Sequence, residues 1–426
     1  MKGRQYDFML NEEQKVLLYF LKCGTHGQKA DEHVLITEYP SFSWSTVMEM
    51  ARAHNILPLI FSVAEDVEAF QRYEGYEELT GQVMAMVAGQ IRRTQALLSL
   101  YQTFAYAKAP LPVVMKGIVC RKLYGEYEDY RPSWDEDLLV KKEDFYTTGE
   151  ILEKQGLVSE RPGVTPAQLE ELQEICFYDP ASGLCVELHV NLVGHENSWC
   201  SGMNDCFADI FDHTRTFTYE GTELRAMDYT KEFLFLVFHA AKHFSTCGIG
   251  LRQVTDILLY ARRFAHKIRW DWLWDQLDAH KCSRFLTDVF AIGEHELGFS
   301  IKANVRESTC CPQDLLSELF RCGVFGNATQ EQRTAQRFTS AAVSAGSIPG
   351  LKTLSFIRGL VFPGRHALMG MHPELAEKPW LLPIFWVKRW GRFLKHNREV
   401  GGGLAGKSIA IGQRRTKLLK KYGLVS

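Results

Sequence analysis

The spacing of hydrophobic and polar positions changes twice along the chain. Up to about residue 110 it is helical. Val16, Leu17, Phe20 and Leu21 share one helix face behind Asn11, whose side chain suits an N-cap. Trp44 to Phe61 predicts another helix, broken near Pro58, and Leu79 to Ala107 a long one with a broad apolar face.

The period then shortens. Leu111 to Gly117 predicts a short buried strand, Ile118 to Tyr124 a helix of one or two turns, and Trp134 to Lys141 a second strand. Lys142 to Gln155 predicts a helix stopped by Gly156. Cys176 to Tyr178 and Leu184 to Leu192 flank the turn-forming Asp179-Pro-Ala-Ser-Gly183 and predict a hairpin. From Asp228 the helical period returns, over Phe233–Phe244, Leu251–Phe264, Trp272–His280 and Phe285–Leu297. A further helix is expected near Leu315–Phe320, and residues 352–361 and 380–397 are apolar and aromatic.

The pattern predicts an α+β fold, a small sheet set between helical regions. The expected divisions are an N-terminal helical region (1–109), an α+β core (110–225), a helical domain (226–300), a helical and aromatic extension (301–400) and a basic Gly/Lys-rich tail (401–426).

Composition narrows the class. A hydrophobic fraction of 46% and an aromatic fraction of 12% exclude a wholly disordered or fibrous chain. The net charge of -2 hides an asymmetry: residues 387–426 hold eleven Lys/Arg against one acid, while the other 386 residues carry 38 basic against 50 acidic groups. None of the eleven cysteines forms a Cys-x-x-Cys pair, so incidental thiols in a reducing cytoplasm are expected. No secretory signal and no apolar run of membrane-spanning length are visible, and a cytoplasmic location is expected.

The candidate chemistry lies in the strands. On a strand, residues two apart share a face, so Asp135 and Asp137 project side by side. Adjacent ionised carboxylates repel unless a cation lies between them, and oxygen donors suit Mg²⁺ or Mn²⁺. Glu187, with His189 on the same face, can supply a third carboxylate if its strand lies beside that of Asp135. Such a triad can hold the ions of phosphoryl transfer. Glu136, on the opposite face, is expected to be exposed or paired with a cation.

Lys116-Gly117, Leu123-Tyr124, Arg131-x-x-x-Asp135-x-Asp137-Leu-Leu-Val140 and Glu187-Leu-His189 together resemble the uncharacterised bacterial nucleotidyltransferase family of the DNA polymerase beta-like superfamily. His239-Ala-Ala-Lys242-His243 and Leu251-Arg252-x-x-x-Asp256 resemble its helical segment, and the likeness spans roughly residues 10–300. The resemblance implies a small mixed-sheet nucleotidyltransferase core with Asp135, Asp137 and Glu187 as catalytic metal ligands. It implies that Gly117 lets phosphates approach the backbone and that Lys116 and Arg131 neutralise their charge. His189, Lys242, His243 and Arg252 are further nucleotide-binding candidates, although the helical residues equally suit capping and inter-helix hydrogen bonds. Ile118 stands where the superfamily carries a phosphate-touching serine.

The implied reaction moves a nucleoside monophosphate from a nucleoside triphosphate to an acceptor, a small molecule, peptide or RNA. The alternatives are a non-catalytic nucleotide- or partner-binding protein on the same fold, or a toxin-like enzyme acting on RNA or protein. Gly401-x₄-Gly406-Lys407-Ser408 matches a phosphate loop literally, but no buried strand precedes it, and a flexible glycine linker is expected. Trp380 to Leu394, apolar and aromatic and then basic, suits a helix docked on the body, a peripheral contact with anionic lipid, or contact with nucleic acid. Deleting Gly401 onward is expected to spare nucleotide binding.

Overall fold

The computed structural model describes residues 9–193, 202–246, 248–308, 311–322, 362, 378–399 and 404–424. The N-terminal region is helical: α1 (Glu12–His26), α2 (Glu32–Glu38), α3 (Trp44–Ala53), α4 (Leu57–Ala64), α5 (Glu68–Gln71) and α6 (Tyr76–Tyr106). Asn11 caps α1 reciprocally: its side chain accepts the Gln14 N–H at 2.9 Å while the Gln14 side chain accepts the Asn11 N–H at 3.0 Å. The single helix expected from Trp44 to Phe61 is two helices. The chain turns at Asn55, with φ 55°, and Pro58 lies in the first turn of α4, where a missing N–H costs nothing.

The core then alternates β1 (Val113–Met115), α7 (Gly117–Arg121), β2 (Asp135–Leu139), α8 (Phe145–Lys154), β3 (Val158–Ser159), α9 (Pro166–Glu171), β4 (Glu174–Tyr178), β5 (Cys185–His189), β6 (Thr214–Tyr219) and β7 (Thr222–Met227). One seven-stranded mixed sheet results, in the order β3-β4-β5-β2-β1-β7-β6. The fold is α+β, as the pattern predicts. The β6–β7 hairpin has no counterpart in the sequence reading. Its turn, Glu220-Gly221, carries φ of 44° and 78°, the left-handed pair that suits the twist of a two-residue hairpin.

Cys176 and Cys185 are diagonal neighbours on β4 and β5 and are joined by a disulfide, against the expectation of thiols only. The β4–β5 hairpin brings the two side chains, nine positions apart in sequence, to the same face.

The helices that follow are α10 (Tyr229–Thr246), α11 (Leu251–Phe264), α12 (Trp270–Ala279), α13 (Ser283–Leu297), α14 (Pro312–Cys322), α15 (Leu382–Glu399) and α16 (Leu404–Tyr422). Phe233 to Phe238 of α10 are all buried, which makes it the central helix of this region. The apolar run expected at 352–361 lies outside the described residues.

The expected glycine linker is instead α16. Glycine lowers helix propensity, but the apolar side of Leu418, Leu419 and Tyr422 is buried against the body. The Tyr422 hydroxyl donates to Asp288, Arg415 donates to the Phe244 carbonyl, and the Tyr422 ring meets Phe244 edge-on. The helix buries part of the protein's surface, and its removal is not neutral to the fold. α15 differs: Phe385 gathers Leu381, Leu382 and Trp386 into a cluster separate from the main core, while Trp380, Ile384 and Val387 are exposed. Among the described residues no helix is long and apolar enough to cross a membrane.

Candidate functional site

The middle of the sheet assembles the site. β2 lies between β1, antiparallel to it, and β5, parallel to it. The register sets Asp137 between Met115 and Glu187, and Asp135 opposite Cys185. Asp135, Asp137, Glu187 and His189 therefore share one face. Alternate residues Leu138, Val186 and Leu188 turn to the other face and are fully buried. Gln90 of α6 holds the start of β2 by accepting the Ser133 N–H at 2.7 Å.

Depth grades the carboxylates. Asp137 is 1% exposed, Glu187 29% and Asp135 36%. His189 Nε2 donates to Asp137 Oδ1 at 2.9 Å and lies 3.6 Å from Glu187, while Nδ1 donates to the Asn191 carbonyl at 3.3 Å. Burial alone would lower the His189 pKa, but the two carboxylates outweigh it and lift it to about 9, so the ring is an imidazolium with both N–H groups used. Burial works the other way on Asp137, and Lys116 with His189 overrules it, holding that carboxyl well below the usual range. Glu187 is raised, by burial first, with the nearby Asp137 charge adding to it.

Lys116 enters from the β1–α7 joint. Its Nζ lies 2.9 Å from Asp137 Oδ1, 4.0 Å from Asp135 Oδ2 and 3.0 Å from His239 Nε2. His239 Nε2 is also 3.1 Å from His243 Nε2. Both imidazoles are held neutral by burial and by the Lys116 charge, His239 well below its usual pKa and His243 at about 3. The α10 helix thus closes the site with two neutral rings.

Glu136, on the far face of β2, is buried and paired with Arg121, and it accepts the Ile118 N–H at 3.0 Å. Of the two environments expected for it, the cation pair is the one found. This also explains Gly117: a Cβ there would lie 2.2 Å from Glu136 Oε2. The glycine makes room for a carboxylate behind the sheet, whereas the sequence reading gave it to phosphates.

The remaining candidates are placed differently. Arg131 is buried and forks onto Asp256 of α11, with Nε–Oδ1 at 2.8 Å and Nη2–Oδ2 at 2.6 Å, while its Nη1 donates to the Gly117 carbonyl. Tyr124 donates to the same Asp256 at 2.9 Å. Arg131 therefore ties the sheet to the helical region and does not join the carboxylate cluster. Lys242 donates to Gln173 Oε1 at 2.7 Å, just before β4. Arg252 donates to the Pro132 carbonyl, and its buried Nε has no hydrogen-bond partner among the described residues.

Sequence reasoning missed Glu174 and Glu232. Glu174 lies 3.7 Å from His189 Nδ1. Glu232 accepts the Lys116 N–H at 3.2 Å, and burial lifts its carboxyl to about 7. The available signal for Glu232 was a lone acid opening an apolar helix, Glu232-Phe-Leu-Phe-Leu-Val-Phe.

The donor set fits a hard divalent cation. Asp137, Glu187 and His189 gather within 4.8 Å of one another, and Asp135 adds a carboxylate on the same face; with both His189 nitrogens donating, the oxygen donors are the three carboxylates. The chain itself already lodges a cation, the Lys116 ammonium, against two of these carboxylates.

A family model described as "Uncharacterised nucleotidyltransferase" matches residues 40–297, which takes in the helices from α3, the whole sheet and α10 to α13. No curated protein and no solved structure matches the chain.

Proposed function

Because the chain belongs to the uncharacterised nucleotidyltransferase family, we propose that it transfers a nucleoside monophosphate from a nucleoside triphosphate to an acceptor, with Mg²⁺ or Mn²⁺ as cofactor. The observation that carries this reading is the convergence of Asp135, Asp137 and Glu187 on one face of adjacent strands. An acceptor oxygen forms a bond to the α-phosphorus, the bond from that phosphorus to the bridging oxygen breaks, and pyrophosphate leaves. Asp135, Asp137 and Glu187 would hold the divalent ion, which would supply neutralisation of the charge on the reacting oxygens.

The chain's own residues do the rest. His189 fixes the rotamer of Asp137 and lies against Glu187, so both carboxylates are pre-oriented. His239 and His243 line the α10 side with uncharged rings, which keeps that wall from competing for the carboxylates. Arg252, whose Nε has no hydrogen-bond partner among the described residues, is a cation with donor capacity for a phosphate.

The test is incubation with labelled ATP, CTP, GTP and UTP plus Mg²⁺ or Mn²⁺ and candidate small-molecule, peptide and RNA acceptors. The readouts are pyrophosphate release and mass spectrometry of the products. Nucleotide binding with no pyrophosphate across the whole panel would favour a non-catalytic binder.

Localisation at a lipid surface within the cytoplasm is a separate element of the proposal. Trp380, Ile384 and Val387 form an exposed apolar stripe on and just before α15, with Lys388 beside it. Such a stripe suits the interface of an anionic bilayer. Co-sedimentation with vesicles containing phosphatidylserine, lost in Trp380→Ser/Ile384→Ser, is the expected result; equal sedimentation of the variant overturns it.

A further inference from the structure

Lys116 has an unusual backbone for a side chain with a Cβ: φ 30° and ψ -91°. Single residues in such regions are strained and persist only where the surroundings hold them. Here both peptide groups are held. The Lys116 N–H donates to the Glu232 carboxylate at 3.2 Å, and its carbonyl accepts the Cys120 N–H at 2.6 Å. The consequence is the direction of the side chain. It is aimed into the acidic face of the sheet, 14% exposed, with Nζ set 2.9 Å from Asp137 and 4.0 Å from Asp135.

That is the place a divalent cation would take if it were shared by the two aspartates. Three carboxylates cannot stay close together without positive charge, and Lys116 and His189 provide it. A divalent ion ligated by Asp137 would stand within a few ångströms of the ammonium, and like charges at that distance repel strongly in a partly buried site. Asp137 Oδ1 already takes both Lys116 and His189, so an ion ligated there competes with the ammonium for it.

We propose that Lys116 is a resident counter-ion: its ammonium holds the carboxylates together in the metal-free protein and is displaced when a divalent ion binds. This rests on the reading of the carboxylates as metal ligands. The exchange favours divalent over monovalent cations, because only a doubly charged ion outweighs the ammonium it replaces. His239, at 3.0 Å from Nζ, is the contact the ammonium can keep when it gives up the aspartates. A lysine released in this way is available to an anion arriving with the metal.

The experiment is an electron paramagnetic resonance titration of Mn²⁺, without nucleotide, into wild type and Lys116→Met. The variant keeps the length of the side chain and removes its charge. The expected result is Mn²⁺ binding at least tenfold tighter in Lys116→Met, and a larger rise of its melting temperature with Mn²⁺. Equal or weaker binding by the folded variant overturns the proposal. A second measurement needs only wild type: amine acetylation followed by mass spectrometry, with and without saturating Mg²⁺. Labelling of Lys116 should accelerate several-fold with Mg²⁺; an unchanged rate while calorimetry shows Mg²⁺ bound overturns the proposal alone. Absence of Mn²⁺ binding by both wild type and folded Lys116→Met overturns the metal reading, and this inference with it.

Discussion

Replacing Asp256 by leucine would strip Arg131 of its partner at a site with almost no water. The two side chains are 4% and 6% exposed, and the fork contributes hydrogen bonds of 2.8 and 2.6 Å. Removing one member of such a buried pair costs about 3–5 kcal/mol, because the remaining charge is left uncompensated. The Tyr124 hydroxyl loses its acceptor in the same change, worth about 1 kcal/mol more. Asp256→Leu should therefore lose roughly 4–6 kcal/mol. Urea unfolding reads this as a midpoint lowered by more than about 1 M at unchanged slope. Arg131→Met/Asp256→Leu should recover most of the loss, because no charge is then stranded. A single variant within about 1 kcal/mol of wild type, or a double variant less stable than both singles, would refute the reasoning. The folded double variant should also bind Mn²⁺ like wild type, since Arg131 lies outside the carboxylate cluster.

Gly117→Ala should lose about 1–3 kcal/mol and lower the soluble yield, since the new methyl would meet a Glu136 carboxylate pinned by Arg121 and the Ile118 N–H. The fully buried His54 has a folded pKa depressed by burial to about 4, so the unfolded chain takes up its proton first as pH falls. Its contribution is present above about pH 6.5 and is lost between there and about pH 4, a loss of about 3 kcal/mol. The pH dependence of the urea midpoint should be flatter by that amount in His54→Asn; an identical profile would contradict it. Tyr422→Ala should lose about 3 kcal/mol and truncation before Leu404 should lower the melting temperature further, because Asp288 and the Phe244 ring lose their cover.

The strands that carry the site were legible because a half-buried strand writes its two faces as alternation, and Cys185-Val-Glu187-Leu-His189 does so plainly. Leu251 to Phe264 was equally readable: Leu251, Val254, Leu258 and Ala261 recur at helical spacing and Gly250 precedes them. The β6–β7 hairpin was not, since Thr214 to Met227 alternates weakly and its pairing with β1 is long-range. The α16 helix was hidden by its glycines, because what stabilises it is tertiary burial of Leu419 and Tyr422 and not local propensity. In the site, residue types were readable but partners were not. Nothing local says that Arg131 meets Asp256, 125 residues away, or that Gly117 faces Glu136. A buried arginine and a phosphate-binding arginine look alike in sequence, and only the position of the nearest carboxylate separates them.

The central claim is that the Asp135 and Asp137 carboxylates hold the divalent ion through which a nucleotide is bound. Its most direct test is calorimetric titration of each Mg²⁺–nucleoside triphosphate into wild type and into Asp135→Asn/Asp137→Asn, with circular dichroism to verify the fold. Wild type should bind at least one of the nucleotides, and the folded double variant none. Unchanged affinity for the same nucleotide in the double variant would contradict the claim.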